Sequence, residues 1–361
     1  MDELKKSWKE AKYKLGNHGD RTIDVLKQAL TAVDDKEESD IYGTGTVIED
    51  FQEKMAKVLG KEAAVFFPSG TMAQQIVLRI WTDHGKNNRV AYHPLSHLEI
   101  HEEGGVKELH HIQTVLLGEA DRLFTLNDLK QLEEPITCLL VELPQREIGG
   151  QLPTFEELKE ISQFCRENEI KVHLDGARLW ECLPYYNKTA AEICSLFDSV
   201  YVSFYKGLGG IAGAILAGDQ SLIDESKIWK RRHGGDLISL YPYVLSSDYY
   251  YEQRIGKMAD YYNSAKRVAE QFNLCEGIET IPRKPVTNMF HVHFSKPKTE
   301  VAAILTTLQQ ETSIGFTGML KNHGDSVCSF ELSLGDAFDK IPEKDWLAAF
   351  QELNKRMNLS S

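Results

Sequence analysis

The sequence predicts an α/β protein in which a large domain, built on a mostly parallel central sheet covered by helices, is followed by a smaller C-terminal α+β domain. Three observations carry this. Between about residues 46 and 231, short β-rich runs alternate with helical patterns, the order that βα units produce. Several runs are apolar throughout, as strands buried on both faces are. Beyond about residue 240 the alternation stops and a long helical segment begins.

Residues 46–59 (TVIEDFQEKMAKVL) place Val47, Phe51, Met55 and Val58 at helical spacing, and Thr46 with Glu49 forms a capping-box signature at the start. Strand-like AAVFF then precedes a helix over 71–82, and RVAY and HIQTVLL lead to a helix over 125–133. ITCLLVEL precedes a helix over 154–168, KVHLD one over 176–182, and SVYVSF is followed by AGAILAG and a helix over 219–231. A single helical stretch over about 240–272, the strand NMFHVHF, a helix near 299–309, a strand near 326–332 and a final helix from about 342 complete the chain. The expected division is an N-terminal segment over 1–40 packing on the small domain, a large domain over 41–240 and a small one over 241–361.

Composition narrows the function classes. The 361 residues carry 41 Lys+Arg against 54 Asp+Glu, a formal charge of −13, which argues against nucleic acid or an anionic membrane surface as a partner. With 42% hydrophobic and 26% charged residues the chain is of ordinary globular composition. Six scattered cysteines form no CxxC pair, the start MDELKKSWKE has no apolar run of secretory type, and no stretch is long and apolar enough to span a bilayer. Reduced thiols and a cytoplasmic location are the expectation, and the acidic cluster DDKEES (34–39) reads as a solvated loop.

Ligands of open α/β sheets sit outside the carboxyl ends of the strands, so the turns after the strands hold the candidate chemistry. After AAVFF, Pro68-Ser69-Gly70-Thr71 offers a hydroxyl and free N–H groups at a helix start, which suits a phosphate and equally suits a plain N-cap. After KVHL, Asp175-Gly176-Ala177-Arg178 puts an acid at the end of an apolar strand, where it needs either a protonated ligand nitrogen or an ion pair with Arg178. After SVYVSF, Lys206 opens Gly207-Leu208-Gly209-Gly210. Desolvated there, its amine is a nucleophile toward carbonyls, whereas in solvent it is an ordinary lysine, and Ser203 places a hydroxyl nearby. A phosphate cradle, an acid for a ring nitrogen and a carbonyl-reactive lysine are the three partners that pyridoxal phosphate requires, and His97 after RVAY adds a ring to stack on the pyridine.

Two other patterns lead elsewhere and fail. His93, His97 and His101 have HxxxH spacing, but Pro94 disturbs the helix and no carboxylate arrangement completes a site, so no metal is expected. Residues 207–212 match the G-x-G-x-x-A dinucleotide fingerprint, which must open a helix, yet AGAILAG continues as a strand. His291 and His293 share a strand face and read as packing or surface residues.

The motifs YGTGTVIEDFQEKMAKVLGKEAAVFFPSGTMAQ (42–74), HLEIHEEGG (97–105), VHLDGARLW (172–180) and KGLGGIAGAILAG (206–218) resemble, in order, those of the threonine aldolase and β-eliminating lyase family of fold-type I pyridoxal-phosphate enzymes. The resemblance implies Lys206 as the Schiff-base lysine, Asp175 on the pyridine nitrogen, Ser69, Gly70 and Thr71 around the phosphate, and His97 stacked on the ring. It puts Arg178 near cofactor and substrate, Ser203 among the cofactor contacts, and Tyr42 and Glu331 on the substrate side. It further implies cleavage of a β-hydroxy amino acid to glycine and an aldehyde, β-elimination or an inactive cofactor-binding homologue being the alternatives, and a homodimer or homotetramer with sites between subunits.

The departures from the family pattern fall on the substrate side. The RSDT-like stretch is GNHGDRT (16–22), the THN segment is Pro144-Gln145-Arg146-Glu147, and the Gly-Gly-Gly-Met-Arg segment is Gly234-Gly235-Asp236-Leu237-Ile238. The C-terminal arginine expected to meet the substrate carboxylate falls on Glu331; either Arg146, Arg231 or Arg232 substitutes for it, or the substrate carries an amine or other donor at that end.

Overall fold

The computed structural model describes residues 2–31, 33–34 and 36–359, so Asp35 of the acidic cluster lies outside the described residues. The chain divides into two compact units. The large one holds residues 21–147 and 152–256; the small one holds 1–20, 148–151 and 257–361. The division thus runs at residues 20 and 256, where the sequence reading set it at 40 and 240. Residues 21–40 join the large unit because helix Asp24–Thr31 lies against helix Tyr241–Arg254, where Tyr250 donates its hydroxyl proton to the Val25 carbonyl (2.9 Å).

The large unit is organised on a seven-stranded sheet. Its strands are β1 (Ala63–Phe67), β2 (Arg89–Tyr92), β3 (Gln113–Leu116), β4 (Cys138–Glu142), β5 (Lys171–Gly176), β6 (Ser199–Ser203) and β7 (Ala214–Gly218), in the spatial order β1-β7-β6-β5-β4-β2-β3. Only β7 runs against its neighbours β6 and β1; all other pairs are parallel. The central strands β6 and β7 are buried at every residue, in keeping with their largely apolar sequences, while β3 at the edge is partly exposed. Ile76, Val77 and Ile80 of helix Gly70–His84 pack on this sheet with Val65, Phe67, Val90 and Leu216.

Every strand expected in the large domain is present within a few residues, and the helices differ from expectation in instructive ways. Helix Thr46–Leu59 has Gly45 at its N-cap with φ 133° and no side-chain cap, so the capping box read from Thr46 and Glu49 does not form: the glycine turns the chain into the helix one residue before the threonine. The capping boxes that do form are Thr125 with Asp128, Thr154 with Glu157, and Thr189 with Glu192. The helix expected from 176 starts at Leu179, because Gly176 still belongs to β5 and Arg178 is the N-cap. The single helix expected over 240–272 is two, Tyr241–Arg254 and Met258–Asn273, separated by a 3₁₀ turn around Gly256.

The small unit carries a four-stranded antiparallel sheet in the order Lys321–Asn322, Cys328–Ser333, Met289–Phe294, Ile278–Ile281. Phe272, Phe290, Phe330 and Phe350 form its aromatic core, and helix Asp2–Glu10 adds Leu4 to it.

Candidate active site

Parallel pairing brings the carboxyl ends of β2, β4, β5 and β6 to one edge of the large sheet. There Lys206, Asp175, His97, Arg178, Arg146 and Glu142 line one narrow cavity. Four of the six are residues the sequence put forward for catalysis or cofactor contact. Glu142 was not, although it ends an apolar strand just as Asp175 does and stands directly opposite it in the β4–β5 register.

Asp175 is 1% exposed; its carboxylate accepts hydrogen bonds from Gln74 Nε2 (2.9 Å) and the Ala177 N–H (3.1 Å). The ion pair that forms at this helix start joins Arg178 to Glu181 at 3.8 Å, not Asp175 to Arg178. Two neutral donors orient the Asp175 carboxylate and leave lone pairs for a protonated ring nitrogen.

Lys206 is half-buried, and burial pushes its amine below the ordinary lysine value, Asp175 pulling the other way and Arg178 adding to the fall. A lowered pKa raises the neutral, nucleophilic fraction. His97 is held down to about 4, first by burial and then by Lys206, so its imidazole is neutral near pH 7 and can accept a proton. Its Nε2 lies 3.8 Å from Glu102 Oε1, and burial raises the Glu102 carboxyl. Burial and then Asp175 push Glu142 up to about 8, and its oxygens accept the N–H groups of His97 and Arg146 (both 3.3 Å).

The turn after β1 presents Ser69 at the N-cap of helix Gly70–His84 in extended backbone, with no side-chain hydrogen bond to the helix. A plain N-cap serine spends its hydroxyl there, so this one is available to a ligand. Gly70 is required by contact: a Cβ on it would come within 2.0 Å of the Tyr201 hydroxyl. Gln74, early in the same helix, ties it to Asp175. Helix end, acid and lysine therefore form one connected arrangement, and the residues fit pyridoxal phosphate.

Ser203, Tyr42 and Glu331 are not among the residues that line this cavity. Ser203 is buried and donates its hydroxyl proton to the Ala177 carbonyl (2.7 Å), which fixes the turn after Asp175. Tyr42 stands half-exposed at φ 49° with the Arg231 guanidinium 5.5 Å from its ring centre. Glu331 belongs to the small unit, opposite His291 and 3.9 Å from its Nε2. In the segment where the family pattern has an arginine, Asp236 pairs at 3.0 Å with Lys230, a lysine only 2% exposed that the sequence did not single out. His93 has both ring nitrogens in hydrogen bonds, to the Arg122 carbonyl and the Leu95 N–H, and serves the loop.

Comparison with known proteins agrees with this geometry. The family described as beta-eliminating lyase matches residues 22–296. The chain belongs to the threonine aldolase and β-eliminating lyase family. It is 26% identical to low-specificity L-threonine aldolase 1 of Arabidopsis thaliana over 322 residues, covering 85% of this chain and 86% of that protein. A solved structure from Listeria monocytogenes EGD-E, given the provisional name L-allo-threonine aldolase, is 61% identical with a TM-score of 0.97 and covers 98% of this chain and 99% of its own. A threonine aldolase of Leishmania major, 18% identical at a TM-score of 0.72 over 97% of this chain and the whole of that one, shares the fold. The family's members are pyridoxal-phosphate-dependent lyases of fold type I, and this family member's cofactor is pyridoxal phosphate.

Proposed function

We propose that the protein cleaves the Cα–Cβ bond of a β-hydroxy amino acid of the threonine or allo-threonine type, releasing glycine and an aldehyde. The observation that carries the reading is the meeting of Lys206, Asp175, His97 and two arginines in one cavity at the carboxyl edge of the sheet. The 61% identity to the Listeria chain and the Arabidopsis relative support the substrate class.

When bound, pyridoxal phosphate supplies a carbonyl that captures amines and a ring that accepts the electron pair freed as the Cα–Cβ bond breaks. The remaining work falls to the chain. Ser69, Gly70 and Thr71 bind the phosphate at a helix start whose dipole favours an anion. Asp175 would hold the protonated ring nitrogen, and the Lys206 amine, desolvated, would be the group that holds the cofactor's carbonyl. Neutral His97, on the cavity wall, would cover the ring face and take the β-hydroxyl proton, while Cβ becomes the aldehyde carbon and Cα takes up a proton. Arg146 and Arg178 supply the positive charge a substrate carboxylate needs, with Tyr42 and Glu331 on the substrate side.

Among the described residues no helix is long and apolar enough to cross a membrane. We read the protein as a cytoplasmic homodimer or homotetramer, a mass that light scattering measures. In support, Ile41, Tyr42, Leu237 and Ile238 form an exposed apolar cluster joined by the Tyr42 N–H to the Ile238 carbonyl.

The test is the visible spectrum of the protein with pyridoxal phosphate, repeated with Lys206→Ala and with threonine, allo-threonine and serine analogues added. A band near the visible edge that is lost in the variant, with glycine and aldehyde as products from wild type, is the expected outcome. A keto acid and ammonia instead would reassign the protein to β-elimination, and no band would end the reading.

A further inference from the structure

Residues 204–213 join β6 to β7 and carry Lys206. Backbone carbonyls in such a loop have no ladder partner and must find donors elsewhere. One side chain serves three of them. Arg21 donates through Nη1 to the Tyr205 carbonyl (3.1 Å) and through Nη2 to those of Gly210 (2.9 Å) and Ile211 (2.7 Å). The rest of the loop is held from the other side. Arg254 donates to the Leu208 carbonyl and Ser247 to that of Ala212 (3.1 Å), Ser246 accepts the Ile211 N–H (3.1 Å), and Gly209 N–H closes on the Lys206 carbonyl (3.0 Å).

Three carbonyl oxygens turned toward one point repel one another unless a cation with several donors sits among them. The planar guanidinium, with five N–H groups in a fixed fork, meets that need, and an ammonium on a flexible stem meets it less well. Tyr205 immediately precedes Lys206, so the grip on its carbonyl fixes the peptide from which the lysine side chain departs. The same guanidinium draws the far end of the loop, at Gly210 and Ile211, back against its start.

We propose that Arg21 is a positioning residue for Lys206: by clamping both ends of the 204–213 loop it aims the amine into the cavity shared with Asp175 and Glu142. The clamp is a property of the unliganded chain. Its consequence for the cofactor rests on the reading of Lys206 given above, and the two are tested separately.

Hydrogen–deuterium exchange on the unliganded protein tests the clamp. In Arg21→Ala the amides of residues 205–212 exchange about tenfold faster, the loss expected for hydrogen bonds to a charged donor, while those of helix Gly70–His84 do not change. Arg21→Lys, which keeps the charge and loses the fork, falls between the two and provides a second variant should the alanine form fold poorly. Guanidinium chloride at millimolar concentration restores protection in Arg21→Ala and leaves wild type unaffected. In the protein loaded with pyridoxal phosphate, Arg21→Ala moves the pH midpoint of the visible band and weakens cofactor affinity about tenfold. Unchanged loop exchange, or a uniform rise across the large unit without guanidinium rescue, would overturn the clamp. Altered loop exchange with an unmoved midpoint and affinity would overturn the positioning role. Absence of any band in wild type counts against the cofactor reading and leaves the exchange result to decide the clamp.

Discussion

At the scale of single residues, burial in the cavity favours the neutral forms of Lys206, His97 and Glu142. Glu142 shows the consequence for stability. Its carboxyl, ordinarily near 4.5, stands at about 8 in the fold, so its charged form is disfavoured there. Stability from this group is complete below pH 4.5 and is lost as pH rises toward 8, because the unfolded chain releases the proton first. Glu142→Gln removes the titration while keeping one acceptor for the His97 and Arg146 N–H groups. The melting temperature of the unliganded variant, relative to wild type, is expected to climb by on the order of 3 °C between mildly acidic and mildly alkaline pH. A difference that stays flat with pH would show that the carboxyl is not raised. Lys206, Asp175 and His97 were legible because each ends or follows an apolar strand. Glu142 satisfies the same rule, but its weight comes from standing opposite Asp175, and that register is made by the sheet, not by spacing along the chain.

At the scale of elements, strands were easier to read than helix ends. Strands buried on both faces must be continuously apolar, and SVYVSF or AGAILAG can scarcely be anything else in a chain of this composition. Helix starts depend on one or two backbone angles. The Thr46–Glu49 pattern was overruled by Gly45 at φ 133°, whereas Thr154 with Glu157 forms the reciprocal pair in full: the Glu157 N–H reaches the Thr154 hydroxyl at 3.2 Å and the Glu157 carboxylate takes the Thr154 N–H at 2.7 Å. Thr154→Ala is expected to cost about 1 kcal/mol, read as a lower urea midpoint. Thr46→Ala, with no cap to lose, should leave the midpoint in place, and equal losses in the two variants would contradict the assignment. The break at Gly256 was invisible for a related reason, since both flanking stretches keep helical spacing and only the turn between them departs from it.

At the scale of the molecule, buried histidines make the large unit sensitive to acid. His173 is fully buried on β5 with Nδ1 at 2.8 Å from the Ser199 hydroxyl, and burial lowers it to about 3. Below pH 6.5 the unfolded chain binds a proton that the folded one refuses, so stability falls with pH from there toward 3. The loss is about 1.4 kcal/mol per pH unit for this group. His97 and His110, each lowered to about 4 mainly by burial, act in the same direction. Urea unfolding of His173→Gln at a series of acidic pH values should show a shallower decline than wild type, and an identical slope would remove His173 from the account. The division of the chain was the least legible feature at this scale. Helix Asp24–Thr31 belongs with the large unit through a hydrogen bond to a residue more than two hundred positions away, and no local pattern announces such a partner.

The one strand of the large sheet that runs against its neighbours has a consequence for the loop after β6. Because β7 returns beside β6, the segment bearing Lys206 is a hairpin connection pinned at both ends to the same sheet, not a crossover leading away into a helix. An amine on so short a tether has little room to drift. In the role proposed for Lys206, its effective concentration at the cavity would stay far above that of any free amine in solution, so resetting the enzyme after each cycle would be an intramolecular recapture, in which the architecture has already met the cost of bringing the partners together.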